Sequence, residues 1–298
     1  MKITKLVAAV LFAMAALSLA MPASAQQKVL KVAPHAFPAN LDPFNVTAYI
    51  TRNHGYMVYD TLFATDEKGA IKPQMVDKFA VSADKKIYTF TLRDKLEFHD
   101  GKPVTGEDVI ASLKRWGARD TFGQKLMTFV DKMDAPDGKT FRLMLKEPTG
   151  IVLDALGKPS SNPAFIMPAR VAATDPFKVI DDYIGSGPYV FKKDEYKPGV
   201  QSIYLKNTKY VPRSEPPSGL AGGKKVYVDR VEWLALKDTQ TQLNELVAGE
   251  MAEEVQVRAT QVGTHAILGE YKTRAATRKN ITGILKAAST AYWNIQQN

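Results

Sequence analysis

The chain has 298 residues, of which 45% are hydrophobic and 24% are charged, and it contains no cysteine. This composition excludes a disulfide framework, a thiolate metal site and a catalytic thiol, and the lack of low-complexity tracts excludes a disordered chain. The formal net charge is +9, but basic and acidic residues are interspersed and no nucleic-acid-binding module is recognisable. We therefore expect a globular protein of one large or two modest domains, with a solvated basic surface and no nucleic-acid partner.

The N-terminal residues predict export. Lys2 and Lys5 precede an apolar run from Leu6 to Leu19, and the small residues around Ala25 then provide a cleavage site. This pattern is typical of a secretory signal peptide over residues 1–25. The run is shorter than the roughly 20 apolar residues of a membrane anchor, so the mature protein is not expected to be membrane-inserted. Because there is no cysteine to carry a lipid, we predict a periplasmic protein.

The remaining pattern predicts strands, loops and helices in alternation. Thr105 and Asp108 form the most specific local signal, a capping box at the start of a helix. Gly249 is placed to end the last predicted helix. In chain order the predicted elements are a strand at 29–33, a loop at 34–40, a helix at 47–62, a strand at 87–92, a helix from 105 onward, a strand at 141–145, a turn at 185–188, strands at 201–205 and 228–236, and a helix near 243–249.

Four segments carry recognisable motifs. The most specific segment runs from Tyr88 to Val109 and includes the sequence Phe-His-Asp-Gly-Lys-Pro-Val-Thr-Gly-Glu-Asp-Val. The other three are Asn40–Pro43 with Tyr59–Phe63, the turn Gly185–Tyr189, and Leu243–Glu250. Together they resemble the family 5 extracellular solute-binding proteins, the oligopeptide-, dipeptide- and nickel-binding type of ABC transporters, and the resemblance runs from Leu30 to about Glu250.

The resemblance implies an α/β (α+β) fold: a periplasmic-binding-protein-like first lobe with an inserted small α+β domain. The first lobe is expected at 26–75 and 185–250, and the additional domain at 76–184. Such proteins close on a ligand at a hinge and deliver it to a membrane permease. The implied function is capture of peptides or related small solutes by a monomer that partners an ABC transporter permease.

The chain departs from the family pattern after residue 250. Family members continue well past 298 residues into a second lobe, and residues 251–298 read as a divergent tail or the start of that lobe. The sequence therefore predicts a truncated chain with the second lobe largely missing. One alternative is a non-binding fragment of such a receptor.

The resemblance also indicates the candidate ligand contacts. In similar proteins the loop after the first strand faces the cleft, so we expect His35, Ala36, Phe37 and Asn40 to contact the solute. A structural role for each of these residues is the competing interpretation. Trp116 and Trp233 lie on apolar faces and are expected in the core.

Catalysis and metal binding are not expected. The four histidines, His35, His54, His99 and His265, are dispersed, whereas metal ligands are usually closely spaced. Gly185–Gly187 is not followed by the Lys-Ser/Thr of a P-loop, so a tight turn is expected there. A periplasmic hydrolase is the alternative of another class, but no nucleophile with a base and an orienting group is evident. No cofactor, catalytic residue or metal site is predicted.

Overall fold

The computed structural model describes residues 27–236, 281–282 and 292–297. The predicted signal peptide and the predicted helix near 243–249 therefore lie outside the described residues. The helices are Tyr49–Val58 (α1), Gly106–Arg119 (α2), Thr121–Phe129 (α3), Val152–Gly157 (α4) and Ala169–Ala172 (α5), with a 3-10 turn at Lys193–Glu195. The strands are Val29–Val32 (β1), Asp60–Thr61 (β2), Phe63–Thr65 (β3), Ile71–Pro73 (β4), Val76–Val81 (β5), Ile87–Leu92 (β6), Val130–Asp134 (β7), Thr140–Leu145 (β8), Phe165–Ile166 (β9), Tyr189–Phe191 (β10), Gln201–Lys206 (β11), Arg230–Leu234 (β12), Ile281–Thr282 (β13) and Gln296–Gln297 (β14).

A four-stranded mixed sheet of order β1-β12-β11-β10 brings the two ends of the continuous range 27–236 together. β1 runs parallel to β12, with Leu30 opposite Val231 and Val32 opposite Trp233. These four side chains are buried, and they alternate with polar residues, as expected for strands with one face on the core. The two parallel strands therefore end at the same edge of the sheet, where the predicted ligand loop begins.

A second four-stranded sheet, of order β5-β6-β8-β7, is antiparallel throughout. Phe90 of β6 lies opposite Phe141 of β8, and their rings stack with centroids 4.8 Å apart. Both rings are fully buried. The α2 helix contacts β7, β8 and β9 and contributes Val109, Leu113 and Trp116 to the same core.

The capping box at the start of α2 is present as predicted. The Thr105 side chain accepts a hydrogen bond from the Asp108 amide, and the Asp108 carboxylate accepts one from the Thr105 amide at 2.8 Å. A second carboxylate oxygen of Asp108 accepts from the Ala169 amide at 2.7 Å. The cap therefore also fixes the start of α5.

The helix predicted over 47–62 is shorter than expected. It ends at Val58, because Asp60 and Thr61 pair as β2 with Ile166 and Phe165 of β9. The Asp60 carboxylate also forms an ion pair with the buried ammonium of Lys224, 2.8 Å away. Tertiary partners more than a hundred residues distant thus override the local helical periodicity.

Membrane-spanning helices are absent from the part of the chain that the structure describes, since none of its helices has the necessary length and apolar character. Trp116 and Trp233 are fully buried, as predicted.

Candidate functional site

The candidate site is the loop that follows β1. It leaves the first sheet at Val32, at the carboxyl end of the parallel pair β1 and β12. In open α/β sheets, ligands bind in the crevice outside the carboxyl ends of parallel strands. The position of the loop is therefore suited to ligand contact.

The loop presents three of the predicted residues at its surface. Ala36 is exposed, whereas His35 and Phe37 are half-buried. The Phe37 ring is stacked on Tyr196, with ring centroids 6.3 Å apart and an angle of 4° between the ring planes. The Tyr196 hydroxyl lies 3.4 Å from the Pro38 carbonyl oxygen, to which it donates. Tyr196 thus packs against the loop and supports it. The sequence alone gave no signal that pointed to Tyr196.

The Asn40 side chain is hydrogen-bonded within the loop. Its Oδ1 accepts from the Asp42 amide at 2.8 Å, and its Nδ2 donates to Asn45 Oδ1 at 2.9 Å. The Asn40 carbonyl accepts from the Thr51 hydroxyl at 2.6 Å. These bonds give Asn40 the structural role of shaping the loop that presents Phe37.

Aromatic side chains connect the loop to the core of the sheet. Tyr196 contacts Phe191, Phe191 contacts Tyr204, and Tyr204 contacts Trp233, with ring centroids between 4.9 and 5.6 Å apart. Each pair is inclined rather than face to face, which is the favourable geometry for aromatic rings. The candidate site therefore rests on a rigid support.

A buried ion pair anchors the far end of the loop. Asp42 Oδ2 lies 2.7 Å from Arg115 Nη2, and both side chains are fully buried. The same carboxylate accepts from the amides of Phe44 and Ile180. Arg115 also donates to the carbonyls of Thr174, Asp175 and Lys178. The ion pair thus ties the loop after β1 to α2 and to the segment 174–180.

His99, in the most specific family segment, holds the glycine turn at 185–187. Its Nδ1 accepts from the Gly185 amide at 3.3 Å, so Nε2 carries the proton and donates to the Gly187 carbonyl at 3.2 Å. The side-chain Nδ2 of Asn207 donates to the same carbonyl at 3.0 Å. Burial lowers the pKa of His99 from 6.5 to about 4. His99 is therefore a neutral structural residue at physiological pH.

His54 is also neutral and buried. Its Nδ1 lies 3.0 Å from the Tyr204 hydroxyl, and its ring meets the edge of Phe191. Burial lowers its pKa to about 3. Within the residues that the structure describes, no group of three or more His, Cys, Asp or Glu side chains is arranged to hold a metal ion.

A cavity of about 330 Å³ opens next to the aromatic cluster. Tyr183 and Phe191 line it, together with Asp181 and Lys193. Tyr183 and Phe191 meet edge to face at 5.7 Å. An aromatic surface with a few charged groups suits non-covalent capture of a small solute.

Solved structures to which the chain is similar include periplasmic binding proteins. The chain superposes on the binding protein AgaA from A. tumefaciens R10, solved with agropinic acid, with a TM-score of 0.61 and 28% identity; the match covers 75% of this chain and 43% of that one. It superposes on MoaA from the same organism, solved with mannopinic acid, with a TM-score of 0.63 and 21% identity over 77% and 45% of the two chains. The fold is that of a periplasmic binding protein.

Two curated relatives agree with this class. A probable peptide ABC transporter periplasmic-binding protein of Sinorhizobium fredii is 45% identical over 212 residues, which are 70% of this chain and 39% of the relative. A glutathione-binding protein of Escherichia coli K12 is 27% identical over 70% of this chain and 38% of the relative.

The model of the bacterial extracellular solute-binding proteins, family 5, matches residues 70–284. The chain belongs to this family, as its sequence motifs predicted. It spans about two fifths of the length of the relatives that it matches.

Proposed function

We propose that the chain is the solute-capturing component of an ABC importer and that its ligands are peptides or related small solutes. The observation that carries this proposal is the loop after β1. It lies at the carboxyl edge of the parallel strands β1 and β12, and it presents Phe37 on Tyr196.

The chemistry of this surface supports non-covalent binding. Phe37 offers an aromatic face to a ligand, and the exposed residue Ala36 lies beside it. We propose that His35, Ala36, Phe37 and Asn40 contact the solute, and that Asn40 also shapes the loop through its bonds to neighbouring residues. The Sinorhizobium relative is named as a probable peptide ABC transporter periplasmic-binding protein, and peptides are the ligand class that we propose for this chain.

The cellular setting is part of the same proposal. We expect export through the N-terminal signal at residues 1–25, residence in the periplasm, and delivery of the ligand to a membrane permease by a monomer. The additional domain at 76–184 and the first lobe at 26–75 and 185–250 are the proposed domain boundaries. No catalytic step is proposed.

Titration tests the proposal directly. The purified chain is titrated calorimetrically with a pool of di- to pentapeptides, and its unfolding temperature is measured with and without the pool. Ligand capture predicts heat of binding and an upward shift in unfolding temperature. Absence of both would leave the alternative, a non-binding fragment of a receptor. Release of amino acids from the pool would instead support a periplasmic hydrolase.

A further inference from the structure

The segment Tyr292–Ile295 is buried against the first sheet, although its residues are distant from that sheet in sequence. Tyr292 and Trp293 are 2% and 0% exposed, and Asn294 and Ile295 are 7% and 8% exposed. The surface that receives them is formed by Tyr189, Trp233 and the loop Gly223–Lys225. The four residues are as fully covered as the core residues of the sheet.

Asn294 makes the directional contacts. Its backbone amide donates to the Lys225 carbonyl at 2.6 Å. Its side-chain Oδ1 accepts from the Lys225 amide at 3.2 Å, and its Nδ2 donates to the Gly223 carbonyl at 3.2 Å. The loop thus requires both a donor and an acceptor on one short side chain, which asparagine has and aspartate or leucine lacks.

Trp293 covers a buried charge. Lys224 Nζ lies 4.8 Å from the centre of the indole ring. The ammonium pairs with Asp60 at 2.8 Å, and both side chains are fully buried. The Tyr210 hydroxyl donates to the second oxygen of that carboxylate at 2.8 Å. A cation under an aromatic face favours tryptophan at this position.

Tyr292 completes the contact. Its ring lies 5.4 Å from that of Trp233, and its carbonyl accepts from the Tyr189 hydroxyl at 2.8 Å. The surface therefore selects three successive residues, Tyr292, Trp293 and Asn294, by contacts of three different kinds.

We propose that the surface formed by Tyr189, Gly223–Lys225 and Trp233 is a sequence-selective peptide-binding site whose ligand is the chain's own Tyr-Trp-Asn-Ile segment. The site shares Trp233 with the aromatic side chains that support the loop after β1, but it contains no residue of that loop, and the inference does not depend on solute capture. Because the segment occupies the site in the same molecule, its effective concentration is on the order of millimolar, and it masks the site from peptides in solution.

The test uses the full chain with the internal ligand disabled. A chain carrying Trp293→Ala and Asn294→Asp is titrated into a fluorescein-labelled peptide of residues 288–298, and anisotropy is measured. We expect at least tenfold tighter binding than to the wild-type chain, because the site is vacated. Adding Lys224→Met to the double variant, or using the peptide with Asn→Asp at the position of residue 294, should weaken binding at least tenfold.

Two results would overturn the proposal: no binding of the peptide to a folded double variant, or equal binding of the Asn→Asp peptide. Circular dichroism establishes whether the double variant folds. If it does not, hydrogen exchange in the wild-type chain decides. The Lys225 and Asn294 amides should exchange at least a hundredfold more slowly than in an unstructured peptide, and the single change Asn294→Asp should accelerate both. Unprotected amides would reject the site.

Discussion

The carboxylate of Asp42 and the guanidinium of Arg115 meet at 2.7 Å with no exposure of either side chain. One residue belongs to the loop after β1 and the other to α2. The pair therefore connects the candidate ligand loop with the helix that begins at the end of the most specific family segment.

Replacing one member of this pair should be severely destabilising. Asp42→Asn keeps the shape of the side chain but leaves the Arg115 charge buried without its counter-charge. We expect the free energy of unfolding to fall by about 3–5 kcal/mol. Urea unfolding followed by circular dichroism measures it.

Asp134→Asn is the matched control, because Asp134 also lies 2.7 Å from an arginine, Arg142. Both of those side chains are partly exposed, so solvent screens their interaction and a much smaller effect is expected. Equal effects of the two substitutions would show that burial does not set the strength of the Asp42–Arg115 pair.

The glycine turn at 185–187 should not tolerate a side chain. A Cβ on Gly185 would overlap the carbonyl oxygen of Val58 at the end of α1. Because the obstacle is backbone, Gly185→Ala should prevent folding or lower the unfolding temperature by more than 10 °C, as expected for a loss of several kcal/mol in a chain of this size.

Gly138→Ala serves as the control for this turn, since nothing lies within 4 Å of its added Cβ. Its unfolding temperature should stay within about 2 °C of wild type. An unchanged unfolding temperature for Gly185→Ala would mean that α1 and the turn are not in contact.

The free energy of unfolding should decrease as the pH is lowered through the range in which His99 is protonated only in the unfolded chain. Burial depresses the pKa of His99 from 6.5 to about 4, so the unfolded state binds more protons between these values. The free energy of unfolding is therefore retained above pH 6.5 and is lost as pH falls, by up to about 1.4 kcal/mol per pH unit from this residue.

Urea unfolding of wild type and His99→Gln at pH 7.0, 6.0 and 5.0 tests this. Glutamine retains a donor for the Gly187 carbonyl but does not titrate, so the variant should show a shallower decline. His54, with its pKa lowered to about 3, accounts for part of the decline that remains. Parallel pH curves for the two proteins would contradict the assignment to His99.

Local structure was predictable from the sequence where interactions between residues close together in the chain determine it. The strand Ile87–Leu92 and the capping box of Thr105 and Asp108 were predicted from alternation and spacing, and both are present. β5 was missed because only Val76 of its six residues is buried, so it carries no alternating pattern. The end of α1 was misplaced because the Asp60 carboxylate pairs with the ammonium of Lys224, which lies 164 residues away in the sequence.

The family motifs pointed to the loop after β1 as the candidate site, and contact between this loop and solute stays a prediction. Tyr196 was not predicted, because it enters only through the fold, which brings it against Phe37. The bonds of the Asn40 side chain to Asp42 and Asn45 were not predicted either. Contacts of this kind depend on backbone geometry that a single sequence does not encode locally.

Calorimetric titration of Phe37→Ala against Phe177→Ala tests the central claim most directly. Phe37 is half-buried and stacks on Tyr196, whereas Phe177 is exposed and its ring lies under the Arg119 guanidinium. If the loop after β1 is the ligand surface, Phe37→Ala should weaken binding of the peptide pool about tenfold or more, as expected for losing an aromatic anchor. Phe177→Ala should leave the affinity unchanged. Equal affinities of wild type and Phe37→Ala, with binding intact, would contradict the account.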